Sequence, residues 1–104
     1  MSTSEILAEI KRRVMAVDPT AQVVLYGSYA RGDQGPESDI DLLILLDKES
    51  VSYEDDKHIS YPLFDLEIET GHMISPRVLS KKEWLNRPFA TPYFENVQRE
   101  GRVL

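Results

Sequence analysis

The chain has no cysteine among its 104 residues, which excludes disulfides and thiolate metal sites. It has no long apolar run. The longest, Leu42 to Leu46, falls far short of the ~20 residues a membrane-crossing helix needs. The two histidines, His58 and His72, have no partner at ligand spacing and read as loop or surface residues. Basic residues are also few: 12 Lys and Arg stand against 18 Asp and Glu, a net charge of −6. Lys11-Arg12-Arg13 and Lys81-Lys82 are the basic clusters, and both read as solvated helix faces. A nucleic-acid substrate is therefore disfavoured, because such proteins normally carry a basic face. The first residues are polar and then amphipathic, without the pattern of a secretory signal, so a cytoplasmic location is the expectation.

What is present is enough for one domain, residues 1–104, with a modest core. Apolar residues make up 41%, an ordinary globular share. Ile6, Leu7, Ile10, Val14 and Val17 recur at helical spacing and predict a helix over 4–17. Ser2 with Glu5 matches a capping box, and Pro19 ends the element. Residues 21–26 predict a strand broken at Gly27, followed by a short helical turn closed by Gly32. Residues 39–46 predict a second strand, whose unbroken apolar end implies burial on both faces. Residues 51–71 are ambiguous. Phe64 to Glu69 alternates like a strand, whereas Ile59, Leu63 and Leu66 followed by Gly71 read as a helix containing Pro62; the helix is preferred. Residues 73–79 predict a third strand, with Pro76 pointing to an edge position or a bulge. Ser80 and Glu83 form a second capping-box pattern before a short helix, and Thr91-Pro92 opens a last helix ending near Gly101.

The chemistry concentrates between Gly27 and Leu46. Gly27-Ser28 is followed, after ten residues, by Asp39-Ile40-Asp41. Carboxylates two apart on a strand share a face, with Cα atoms about 7 Å apart at a rise of ~3.3 Å per residue. That suits one divalent ion held by both, or two ions. A Gly-Ser turn after an apolar strand offers backbone N–H groups and a hydroxyl to phosphate oxygens. Arg31 either contacts the phosphates or pairs with Asp33 or Glu37. Ser38 reads as a structural residue at the start of the strand. Trp84, Phe89, Tyr93 and Phe94 form an aromatic set, read as core or as a partner-facing patch.

The stretch Leu25-Tyr26-Gly27-Ser28-Tyr29-Ala30-Arg31-Gly32, with Glu37-Ser38-Asp39-Ile40-Asp41-Leu42-Leu43, closely resembles the signature of the DNA polymerase beta-like nucleotidyltransferases. The chain's size resembles their minimal members, which are often encoded beside a HEPN-domain protein. Tyr93 to Val97 and Arg99-Glu100-Gly101 resemble the ends of such domains. The resemblance implies an α/β fold: a small mixed sheet of three or four strands, with helices packed mainly on one face. It implies transfer of a nucleoside monophosphate, AMP from ATP first of all, to an acceptor hydroxyl. The cofactor would be Mg²⁺ or Mn²⁺ held by Asp39 and Asp41, and Gly27, Ser28 and Arg31 would bind the nucleotide. The partner it implies is a HEPN-type toxin, with this chain as antitoxin; a second copy of this chain is the other candidate partner. Two rivals accompany it: a silent antitoxin acting by contact, and a stand-alone enzyme acting on a small molecule. The chain departs from the family in its third acid, whose place falls near Ser75. Asp65, Glu67 and Glu69 are the nearest acids in sequence and serve only if their segment is a strand.

Overall fold

A computed structural model describes residues 1–104. The first helix, α1, spans Thr3–Val17. Its capping box is complete: Ser2 Oγ accepts the Glu5 N–H, and Glu5 returns the bond to the Ser2 N–H. Ile6, Ile10 and Val14, one per turn, are its buried stripe. Strand β1 is Gln22–Tyr26, α2 is the single turn Ser28–Arg31, and β2 is Ile40–Leu46. Helix α3, Tyr53–Thr70, carries Pro62 inside it and stops at Gly71 in the left-handed conformation. Then come β3 (Ile74–Ser80), α4 (Lys81–Leu85), α5 (Pro92–Glu100) and the two-residue β4 (Arg102–Val103).

The strands form one mixed sheet in the order β3-β2-β1-β4. β1 runs antiparallel to β2 and to β4, and β2 runs parallel to β3. A parallel pair needs a crossover connection, and α3 supplies it. This settles the ambiguous segment as helix. Ile59, Leu63 and Leu66 are buried while Phe64 and Ile68 are exposed, so the apparent alternation does not mark a strand. β2 lies between two neighbours and is almost wholly buried, as its apolar run requires. β3 is an edge strand, the place where Pro76 costs no ladder bond.

The two long helices cover one face of the sheet. Ile6, Ile10 and Val14 of α1 and Ile59, Leu63 and Leu66 of α3 meet Val23, Leu25, Leu42, Ile44 and Leu46. The opposite face is covered more thinly, by Trp84 of α4 and Val97 of α5 over Val24, Leu43 and Leu45. Ser80 caps α4 by accepting the Glu83 N–H, and its hydroxyl donates to the Lys48 carbonyl. The fourth strand, β4, has no periodic signal of its own, being two exposed residues. It nonetheless ties the C-terminal segment to the sheet, with Val103 opposite Val24 and the Leu104 N–H on the Val23 carbonyl.

Candidate active site

Side chains alternate across a strand, and the thinly covered face changes character at one end. Where β1 finishes and β2 and β3 begin, its residues are Tyr26, Asp41 and Ser75 rather than Val, Leu and Leu. These three lie in a row across the sheet, because Asp41 is the register partner of both Tyr26 and Ser75. Asp41 is half-buried; Asp39, one residue before β2, is exposed. The Ser75 hydroxyl donates to Asp39 Oδ2 at 3.3 Å. Burial pushes the Asp41 carboxyl above its ordinary range, the Asp39 charge adds to this, and Glu100 pushes the same way while Arg31 opposes. A pair of acids that resist joint ionisation is a pair that a cation stabilises.

Gly27 follows immediately. Its φ of +74° is a conformation L side chains rarely adopt, and a Cβ there would sit 2.4 Å from Asp41 Oδ2. The backbone conformation therefore favours glycine, and any side chain there would also have to push the Asp41 carboxylate aside. The expectation that this turn presents free N–H groups needs one correction. The Gly27 N–H is taken: it donates to Glu100 Oε1 at 3.0 Å. The N–H groups of Ser28 and Tyr29 have no acceptor in the chain. The next donors turn back, since the Ala30 and Arg31 N–H groups both meet the Gly27 carbonyl. The donors left for an anion are thus the two free N–H groups and the Ser28 hydroxyl.

Arg31 bonds Asp33 at 3.1 Å, one of the two partners anticipated, and Glu100 Oε2 at 2.9 Å, which was not. Glu37 takes no part, and Ser38 accepts the Gly35 N–H and so shapes the loop. Asp65, Glu67 and Glu69 are removed from the site by the helical state of their segment. Glu67 accepts the Ile74 N–H, Glu69 pairs with Arg13, and Asp65 is exposed. No three His, Cys, Asp or Glu side chains stand close enough to hold a metal between them.

Several neighbours escaped the sequence reading. Tyr26 and Tyr93 join hydroxyls at 3.0 Å, and burial, then this bond, raises the Tyr26 phenol. The Arg77 guanidinium, two residues along β3 from Ser75, lies 4.6 Å from the Tyr93 ring centroid. Glu100 was visible only as part of a family-like tail. Of the aromatic set, Trp84 is core, Tyr93 and Phe94 pack beside it, and Phe89 alone is largely exposed. His58 is exposed and His72 half-buried, and neither belongs to the site.

The donor set suits a hard divalent cation. Two carboxylates without a third are what Mg²⁺ commonly takes from a protein, with substrate phosphates and water completing its octahedron. Asp39 and Asp41 are the residues that would hold it.

Residues 4–87 match the nucleotidyltransferase domain model, and the chain belongs to the nucleotidyltransferase family. Two proteins of Methanocaldococcus jannaschii, both provisionally named protein adenylyltransferases, are similar to it. One is 35% identical over 103 residues, 97% of each chain. The other is 35% identical over 83 residues, 80% of this chain and 76% of the relative. Among solved structures, the fold is similar to a toxin-antitoxin crystallised with AMP-PNP (TM-score 0.63, 17% identity, 98% of this chain and 72% of that one). It is also similar to the toxin-antitoxin MntA-HpeT mutant D39ED41E (TM-score 0.60, 15% identity, 99% and 72%). The chain is thus a nucleotidyltransferase. None of its helices is long and apolar enough to cross a membrane.

Proposed function

We propose that the chain transfers AMP from ATP to a hydroxyl on a partner protein, with pyrophosphate leaving, and that it serves as the antitoxin of a HEPN-type toxin. The observation that carries this reading is the Asp39–Asp41 pair set against a glycine turn of positive φ, beside unpartnered N–H groups of Ser28 and Tyr29. Ser28 and the two N–H groups bind the β- and γ-phosphates. Arg31, held at the rim, balances phosphate charge. The acceptor hydroxyl oxygen bonds to the α-phosphorus, its proton passing to water, and the bond from that phosphorus to the α–β bridging oxygen breaks, its electron pair leaving with pyrophosphate. Mg²⁺ (or Mn²⁺), held by Asp39 and Asp41, supplies charge neutralisation for the phosphates when bound.

The relatives named as protein adenylyltransferases support AMP and a protein acceptor. The fold relative crystallised with AMP-PNP supports an adenine nucleotide, and both toxin-antitoxin relatives support a toxin partner. The chain itself gives a second reason for a protein partner. Tyr53, Tyr61, Phe64 and Ile68 line the outer side of α3 at helical spacing and are 40–82% exposed. Such a stripe on an otherwise acidic surface is a mark of interaction sites.

The test is labelling with ATP and Mg²⁺, with and without a HEPN-type protein should one be encoded beside this chain. Label should appear on a hydroxyl of that neighbour, and Asp39→Asn/Asp41→Asn should abolish it. Equal labelling by the double variant would sink the assignment. Ser75 favours one second reading, an antitoxin that binds and does not transfer. A serine opposite Asp41 neither takes a proton at neutral pH nor binds a cation as an anion does. Tight complex formation without labelling would select that reading, and Ser75→Asp would then be expected to confer transfer.

A further inference from the structure

Glu100 is the last residue of α5 and lies 73 positions from Gly27, yet its two oxygens meet the two parts of the nucleotide loop. Oε1 accepts the Gly27 N–H at 3.0 Å and Oε2 accepts from Arg31 Nη1 at 2.9 Å. Its side chain is 15% exposed. We propose that Glu100 is a positioning residue for the triphosphate: it braces the Gly27–Arg31 turn from behind, so that Ser28 and the free N–H groups face the nucleotide. This rests on the nucleotide-binding reading above and adds a residue to it.

The residue has little freedom to swing away. Immediately after it, a Cβ on Gly101 would lie 2.5 Å from the Val97 carbonyl and 2.8 Å from Val24 Cγ1, so the chain turns against the sheet itself. Arg102 then pairs with Leu25 in β4. Glu100 is thus anchored by α5 on one side and by β4 on the other. A carboxylate on a backbone N–H and a guanidinium makes two charge-assisted bonds, stronger than neutral ones. Gly27 sits where its φ is positive, a conformation a loose turn would readily leave. The C-terminal segment thereby becomes part of the nucleotide site without touching the nucleotide.

The experiment measures ATP and AMP affinity, each with Mg²⁺, for wild type, Glu100→Ala and Glu100→Gln, together with amide exchange at Gly27. Glu100→Ala should bind ATP about tenfold more weakly, the loss of two charged bonds in part relayed through the loop. AMP, which lacks the β- and γ-phosphates, should bind as before. Glu100→Gln keeps an acceptor for the Gly27 N–H and should restore slow exchange there and part of the ATP affinity. Should the alanine variant lose its fold, the glutamine variant decides by the same ATP-to-AMP comparison. ATP affinity unchanged in both variants overturns the proposal. Tighter ATP binding also overturns it and makes the carboxylate a rival of phosphate. Equal weakening of ATP and AMP overturns it in favour of a merely structural contact. Wild type that binds no ATP overturns the nucleotide-binding reading and this one with it, whereas failure of the variants alone overturns only the role of Glu100.

Discussion

The two faces of the sheet are made from alternate residues of the same three strands, and they do different work. On the α1/α3 side every inward position of β2, from Ile40 through Leu42 and Ile44 to Leu46, is at most 2% exposed. Two long helices seal it. On the α4/α5 side the same strand reads Asp41, Leu43, Leu45, and the cover is two short helices. The apolar series breaks off at the end where the loops gather. Stability resides mainly on one face, which leaves part of the other free to keep charge half in water. Charge placed on the first face would be stranded, since an unpaired buried carboxylate costs several kcal/mol.

Equivalent substitutions on the two faces should separate these roles. Leu42→Ala, on the sealed face, should cost about 3–4 kcal/mol in urea unfolding, the range for a buried leucine whose cavity cannot collapse. Gly27→Ala lies at the junction. It adds backbone strain of about 1–3 kcal/mol and pushes a methyl against Asp41, so ATP binding should fail while most of the fold survives. Normal nucleotide affinity in that variant would place the phosphate grip elsewhere. Leu79→Ala, on the thin face and only partly buried, should cost about 1 kcal/mol, near the transfer of one or two CH₂ groups. If Leu79→Ala costs as much as Leu42→Ala, the asymmetry between the faces is wrong.

The sequence was informative where one local pattern sufficed. Leu42 to Leu46 could only be a central strand. Ser2 with Glu5 located the start of α1 to within a residue or so. The spacing from Gly27-Ser28 to Asp39 and Asp41 put these residues at one end of one sheet, and the structure brings them together there. The resemblance placed the third-acid position near Ser75, and the structure sets Ser75 opposite Asp41. What stayed hidden was tertiary. Whether Asp65, Glu67 and Glu69 faced the site turned on one segment being helix or strand, and periodicity over six residues serves both. The tie from Glu100 to Gly27 forms only after α5 has docked and β4 has paired. Arg77 gains meaning only when Tyr93 arrives from α5. A local pattern carries none of these contacts.

The smallest effect concerns Asp41 itself. Its carboxyl is raised by burial and by the Asp39 charge, so the folded state binds a proton more readily than the unfolded chain does. Stability should then fall as pH rises from below the ordinary aspartate value of 3.8 through the raised one, because ν_N exceeds ν_U in that window. Asp55 works with the opposite sign. Held down to about 2 by Lys48 and by the Ser52 N–H, it loses its contribution as pH falls toward that value. Wild type alone would show these superimposed on one another and on Glu5, Glu9 and Glu100, whose carboxyls are also lowered. Asp41→Asn removes only the first, so the stability of the variant minus that of wild type should grow as pH climbs from about 3 and level off above the raised value. Urea unfolding of both proteins across that range, without divalent ions, measures it. A difference that is flat with pH would mean that Asp41 ionises as freely as in the unfolded chain. The sealed-face variant Leu42→Ala should show no such slope relative to wild type, because it removes no titrating group and leaves the charge on the opposite face.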